Sequence, residues 1–310
     1  MIPPSPKQPP PRPLSLPSGW WGTQAARALV WGVRAAPLWW LEALCRGAAA
    51  LAWTLRIRRR VLLDNLALAF PELPEAQRRR IGKGVYRNMT RAVLDGLRGP
   101  ALSREALAQT VVVDSWGSLR EAYASGKGVL LATAHFGSWE LLGGVLTSCD
   151  FNVSAVVRPL KGSFNAELMR SRQESGLKLI AARGAVQGMI KAVRAGDLVV
   201  MLLDQTVPAE KGAFVPFFGR LASTSPGLAL TAIRTRAPLY VLMAAREGAK
   251  LRFFVEGPVP VPSEGKLDDR IREMTLQVTQ ILERYIRRYP DQWLWLHRRW
   301  KETPPPSAQA

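Results

Sequence analysis

Leu130–Gly144 reads LLATAHFGSWELLGG, an apolar run that ends on one of only two histidines in 310 residues. The run GVLLATA, Gly128–Ala134, has the composition of a buried strand. A strand that hands over to a helix places the next residue at the carboxyl edge of an α/β sheet, where functional groups gather. His135 occupies that place, and Glu140 follows five residues on. On one continuous helix the two would be rotated by roughly 140° net. They meet only if His135 lies in the turn. Gly137 gives that turn its freedom, and Ser138 can cap a helix carrying Glu140, which folds the carboxylate back onto one imidazole nitrogen. The other nitrogen then faces substrate as a general base. A satisfied histidine at a strand end is the competing reading of the same residues.

Around this stretch the chain alternates. Apolar, β-branched runs at Val111–Val113, Val129–Ala132, Val153–Val157, Leu198–Leu203, Leu239–Ala244 and Leu251–Val255 predict strands, and the segments between most of them predict helices. The expected fold is α/β, a mixed, mostly parallel sheet flanked by helices. A charged amphipathic helix is expected over Leu73–Leu97, between Pro74 and Gly99-Pro100, and a long one over Asp268–Tyr289, ended by Pro290.

Composition narrows the partners. Hydrophobic residues make up 47% of the chain, enough for a substantial core. Lys and Arg number 43 against 24 Asp and Glu, and the net charge of +19 calls for a polyanionic neighbour: nucleic acid, anionic lipid or an acidic carrier protein. The tryptophans near arginines in the first sixty residues suit a membrane interface. Cys45 and Cys149 lie in unrelated segments, which predicts neither a disulfide framework nor a zinc cluster and agrees with a reducing setting.

Eight prolines in the first seventeen residues preclude a helical signal segment, so residues 1–19 read as a disordered leader. Residues 20–60 read as a membrane-associated helical segment interrupted by Arg27, Arg34, Pro37, Glu42 and Arg46. Ala35–Leu55 is long enough to cross a bilayer only if Glu42 and Arg46 pair at i,i+4 inside hydrocarbon; an interfacial helix and a buried hairpin are the other readings. Arg56, Arg58, Arg59 and Arg60 follow, and the positive-inside tendency puts the downstream domain, residues 61–301, on the cytoplasmic side. Residues 302–310 read as a disordered tail.

HFGSWE resembles the HxxxxD/E signature of glycerolipid and lipid A acyltransferases. Five further elements narrow the resemblance to the late acyltransferases of lipid A biosynthesis, the lauroyl/myristoyl transferase family. They are DNLALAFPEL at Asp64–Leu73, VVRPL at Val156–Leu160, LLDQ at Leu202–Gln205, GAFVPFFGRLASTSPGLALTAIRTRAPL at Gly212–Leu239 and YPDQWLWLHRRWK at Tyr289–Lys301. The related mycobacterial mannolipid acyltransferases resemble it too. Glu in place of Asp at the end of the motif leans toward the lipid A branch. The resemblance implies a glycerolipid acyltransferase-like fold at the cytoplasmic face of the bacterial inner membrane. It also implies acyl carrier protein as donor, with acyl-CoA second, and an anionic, Kdo-bearing lipid A precursor as acceptor.

The resemblance and the residues together mark out a site. His135 and Glu140 are the expected catalytic pair. Arg158, just past a strand, offers a planar guanidinium to a phosphate or carboxylate. Asp204 and Gln205 end another strand and face the same edge; the resemblance makes Asp204 part of the site, where a turn-capping residue is the alternative. Phe217 and Phe218, followed by Gly219-Arg220, read as one wall of an acyl-chain groove in preference to core packing. After Thr224, Ser225 as N-cap and Pro226 at N1 form a helix start able to receive an anion. Trp293, Trp295, His297, Arg298, Arg299 and Trp300 interleave aromatics with cations, and Arg299 is expected at an anionic headgroup.

No G-x-S-x-G, metal-ligand cluster or Gly-rich phosphate loop is present, so no covalent nucleophile, metal or cofactor is expected. A nucleic-acid-binding basic protein is the rival of another class, and the Trp-rich segment at residues 20–55 weighs against it. A catalytically dead, lipid-binding relative is the second rival, against which His135 and Glu140 stand.

Overall fold

Among the described residues there are nine strands: β1 (Val111–Val113), β2 (Val129–Thr133), β3 (Val153–Val157), β4 (Lys178–Ala181), β5 (Leu198–Leu202), β6 (Ala213–Phe217), β7 (Arg220–Thr224), β8 (Leu239–Glu247) and β9 (Lys250–Glu256). They come from a computed structural model that describes residues 20–113, 116–158 and 162–305. Seven form one sheet in the order β1-β9-β8-β2-β5-β3-β4. Parallel pairing runs from β8 through β2, β5 and β3 to β4, and the β8–β9 hairpin turns the last two strands antiparallel to the rest. The expected mixed, mostly parallel sheet is therefore the observed one. β6 and β7 make a separate hairpin.

Helices α5 (Arg104–Thr110), α6 (Gly117–Ala124), α7 (Trp139–Ser148) and α8 (Ser163–Glu174) cover one face, and α9 (Ala185–Arg194), α10 (Gly227–Thr235) and α11 (Leu267–Arg288) cover the other. Alternation along the strands makes this possible: Leu130 and Ala132 enter the core under α9–α11, while Val129 and Leu131 enter the core under α5–α8. β2 has every residue buried, as a central parallel strand covered on both faces must.

The N-terminal segment folds as α1 (Trp20–Ala35) and α2 (Leu38–Thr54), broken where Pro37 cannot continue a helix. α3 (Arg59–Ala69) and α4 (Glu75–Arg98) follow. Val30, Val33 and Leu41 pack on Leu97, so α1 and α2 lie against α4. Three of the four charges of α1 and α2 reach partners on neighbouring elements. Arg27 pairs with Glu167 at 3.3 Å, and Arg34 reaches Glu174 at 2.6 Å and the carbonyl of Leu97 at 2.9 Å. Glu42 pairs with Arg91 of α4, in place of the expected Arg46. The outward face holds Leu29, Trp31, Trp39, Trp40, Leu51 and Leu55, with Arg46 its one charge on α2. Among the described residues no helix is long and apolar enough to cross a membrane. Of Ala35–Leu55, α2 takes up 17 residues after Pro37, and its acid pairs with α4 and not with Arg46. Residues 1–19, Pro159, Leu160 and 306–310 lie outside the described residues.

Candidate active site

β2 ends at Thr133 and α7 begins at Trp139, so His135 stands in the turn at the sheet's carboxyl edge. The turn is held from two sides. Leu294 N–H donates to the carbonyl of His135 at 3.1 Å, and Gly137 N–H donates to the carbonyl of Gln292 at 2.9 Å. Gly137 has φ +55°, and a Cβ there would lie 1.9 Å from the carbonyl oxygen of Ala244.

The imidazole is held by Asp204, two residues past the end of the adjacent strand β5. His135 Nδ1 lies 2.9 Å from Asp204 Oδ1. Trp293 Nε1 donates to Asp204 Oδ2 at 2.9 Å. Burial of Asp204 opposes its charge, but His135 and the two side-chain hydrogen bonds outweigh that cost and hold the carboxyl below its usual range. An ionised Asp204 can only accept, which assigns the proton to Nδ1 and leaves the lone pair on Nε2. Gln205 Nε2 stands 3.4 Å from that lone pair, and the ring of Trp139 closes on the imidazole at 5.5 Å between centroids.

Glu140 is elsewhere engaged, which corrects the expected His135–Glu140 contact. Its carboxylate takes Arg172 of α8 in a two-point ion pair, Oε1 to Nη2 at 2.6 Å and Oε2 to Nε at 3.0 Å, and accepts from Trp139 Nε1 at 3.1 Å. A nearly buried carboxylate needs such a partner, and α8 supplies a guanidinium where the turn supplies one ring nitrogen. Close approach of α4 fixes the arrangement, for a Cβ on Gly96 would sit 2.6 Å from Glu140 Cβ. Ser138 holds the N-cap position but makes no cap bond; its hydroxyl donates to Asp95 Oδ2 at 2.9 Å.

Arg158 lies exposed, one residue past β3. β5 separates β3 from β2, and the pairings Val153–Leu198 and Ala155–Val200, carried to the strand ends, set Arg158 level with Leu203. Three neighbouring strand ends thus present His135, Asp204 with Gln205, and Arg158, with the outer two roughly 10 Å apart across the sheet.

Four expected substrate residues are structural. Phe217 and Phe218 are buried in the core, not along a groove: Phe217 lies between Trp293 at 5.4 Å and Trp300 at 5.9 Å, and Phe218 meets Phe70 and Trp295. Thr224 is fully buried, and its hydroxyl accepts from Arg299 Nη2 at 2.5 Å. Arg299 is itself 1% exposed, donates Nη1 to the carbonyl of Ser223 at 2.7 Å, and lies 5.2 Å over the ring of Phe217. Burial brings its pKa down to about 10, and a cation so enclosed cannot meet a headgroup. Gly219 and Arg220 are exposed at the β6–β7 turn, where Phe218 and Gly219 both take positive φ and Phe218 N–H donates to Glu283 of α11 at 2.6 Å. The α10 start is offset by one residue, with Pro226 at the cap and Ser225 Oγ 3.4 Å from Gly227 N.

His297, read in the sequence as part of an aromatic–cation stripe, lies in the same assembly. Its Nε2 accepts the backbone N–H of Thr206 at 3.1 Å, and its pKa is brought down to about 4, chiefly by burial. Asn65 of α3 donates to the carbonyls of Trp295 and His297 and fixes the segment that carries Trp293 and His297. Among the described residues no group of three or more His, Cys, Asp or Glu is arranged to hold a metal. The buried Cys45 thiol is pushed up to about 11, first by burial and then by Asp95, so its thiolate is suppressed. What the arrangement offers is a base at Nε2 and an anion fixed behind it, with Arg158 two strand ends away on the same edge.

A family model described as "Bacterial lipid A biosynthesis acyltransferase" matches residues 12–302. The chain is similar to the lipid A biosynthesis palmitoleoyltransferase of Escherichia coli K12, with 27% identity over 258 residues, 81% of each chain. It shares 26% identity over 289 residues with the lauroyltransferase of the same organism, covering 92% of this chain and 93% of that one. With its myristoyltransferase the figure is 22% over 296 residues, 94% and 90% of the two. The matched span takes in Arg158, His135, Asp204 and the C-terminal segment whose Leu294 and Trp293 hold the latter two, and the chain, an acyltransferase, belongs to the bacterial lipid A biosynthesis acyltransferase family.

Proposed function

We propose that the protein transfers a fatty acyl chain from acyl carrier protein, with acyl-CoA as second choice, to a hydroxyl of a lipid A precursor, and that His135 is the general base. The observation that carries this reading is the contact of His135 Nδ1 with the buried, ionised Asp204, which turns a basic Nε2 toward solvent at the sheet edge. Nε2 takes the acceptor's proton as the oxygen attacks the thioester carbonyl. Asp204 stabilises the imidazolium until the departing thiolate takes the proton back. Glu140 serves this step indirectly, by clasping α7 to α8.

Arg158 is suited to a phosphate or carboxylate of the acceptor. The net charge of +19 favours both an acidic carrier protein and an anionic lipid surface. The outward face of α1 and α2, with exposed Leu29, Trp31, Trp39 and Trp40, supports in-plane seating on the cytoplasmic face of the inner membrane. A mannolipid acceptor is the second reading, favoured by the resemblance of HFGSWE to that branch.

The test is transfer of label from acyl-carrier-protein thioesters to a lipid A precursor in membranes, with wild type and His135→Ala. A loss of about 10² or more in the variant is expected. Equal transfer by the two ends the assignment of His135. Activity toward a mannolipid alone keeps the chemistry and changes the acceptor.

A further inference from the structure

Acyl transfer from a thioester puts negative charge on the carbonyl oxygen, and a site that works by general base needs a donor for it. The turn after His135 has none to give from its first three residues. Phe136 N–H goes to the carbonyl of Ala134 at 2.8 Å, Gly137 N–H to Gln292 at 2.9 Å and Ser138 N–H to Ala244 at 3.4 Å. Gln205 is differently placed. It is exposed, it lies three residues past β5, the strand beside β2, and its amide nitrogen stands 3.4 Å from the very nitrogen that must receive the acceptor's proton.

That placement depends on its neighbour. Thr206 N–H donates to His297 Nε2 at 3.1 Å, and Thr206 also bridges Thr224 of β7, which Arg299 anchors. Gln205 is therefore fixed on one side by Asp204, bound to Trp293, and on the other by Thr206, bound to His297. His297 can do this only as a neutral acceptor, which its burial favours.

We infer that the Gln205 side-chain amide donates to the developing oxyanion and that His297 is its positioning residue. This rests on His135 being the base. As the acceptor O–H bond breaks toward His135 Nε2, the new O–C bond forms and the carbonyl π pair moves onto oxygen, where the Gln205 N–H meets it. Collapse of the tetrahedral species restores the carbonyl, breaks the C–S bond and frees the amide as the thiolate takes the proton from the imidazolium.

A double-mutant cycle in the same transfer assay tests this, with the acceptor wild type uses. Gln205→Ala and the isosteric Gln205→Glu, which cannot donate, are expected to lower kcat by about 10² with KM within about threefold of wild type. His297→Ala is expected to lower kcat by about tenfold in the wild-type background and by less than about twofold in Gln205→Ala, because it acts through Gln205. His297→Gln, whose carbonyl can accept the Thr206 N–H, should recover most of the loss. A Gln205→Ala enzyme with wild-type kcat, or one changed only in KM, overturns the oxyanion role. An equal His297→Ala loss in both backgrounds overturns the positioning role. If His135→Ala retains full transfer, the fault lies in the base assignment, whatever Gln205→Ala does.

Discussion

Glu140 is joined to Arg172 by a two-point ion pair, while the histidine five residues before it is held by Asp204. The two acids therefore do different work. Asp204→Asn leaves the imidazole without its anion, and kcat of the folded enzyme is expected to fall by about 10² or more, with some loss of melting temperature because the ionised carboxyl also stabilises the fold. Glu140→Gln strands a partly buried guanidinium, and stability is expected to fall by about 3 kcal/mol, with activity following the loss of fold. Adding Arg172→Gln should restore part of that stability. A Glu140→Gln enzyme with wild-type melting temperature and the kinetic defect of Asp204→Asn would return the base-orienting role to Glu140.

Gly137 sets the height of the catalytic turn. Alanine there must take φ +55° and place its Cβ 1.9 Å from a backbone oxygen of β8, which cannot move without disturbing the Ser138 N–H bond to the same carbonyl. Gly137→Ala is expected to cost on the order of 3 kcal/mol in urea unfolding and to abolish transfer. A variant with unchanged stability and activity would mean that the turn is looser than this.

The sheet was legible because its central strands are short apolar runs bounded by breakers, and the site's edge followed from where β2 ends. β4 was not, since Lys178–Ala181 lies at the sheet edge and is only partly buried, so it carries little hydrophobic signal. Asp204 was placed at the correct edge, but a partner 69 residues away leaves no spacing to read, whereas Glu140, five residues away, does. The aromatics of FVPFF gave no sign of which way they face, because Pro216 and the Phe218-Gly219 turn interrupt any alternation. The C-terminal segment did hold a readable signal: Trp293, Trp295, His297 and Arg299 recur at every second position. Three of the four are buried, and the segment reaches that packing through turns at 295–296 and 299–300, not as an extended strand.

Trp39 and Trp40 are 71% and 46% exposed beside Leu51 and Leu55, on a face whose one α2 charge is Arg46. Side chains that touch so little of the fold contribute little to it. Trp39→Glu with Trp40→Glu is expected to weaken co-sedimentation with phosphatidylglycerol-containing vesicles by about tenfold or more while leaving the melting temperature unchanged. Raising salt should weaken wild-type binding through the arginines at positions 56 and 58–60. Vesicle binding that survives both changes would move the membrane contact off this face.

His297 links fold stability to pH. Its ordinary value of 6.5 falls to about 4 in the folded chain, through burial first, against the opposing pull of Asp204 and with lesser help from Arg299 and other nearby cations. Between those values the unfolded chain binds the proton and the folded chain does not. The stabilisation from neutral His297 is thus complete above about pH 6.5, declines as pH falls toward about 4, and is gone below it. Asp204 does not share this window, because its folded value lies below its ordinary 3.8 and its contribution is lost only at still lower pH. Urea midpoints measured from pH 7.5 to 4 should fall more steeply for wild type than for His297→Gln, which accepts the same Thr206 N–H but does not titrate. Parallel curves for the two proteins would mean that His297 takes up its proton alike in the folded and unfolded chains, and that the Thr206 contact does not depend on its being neutral.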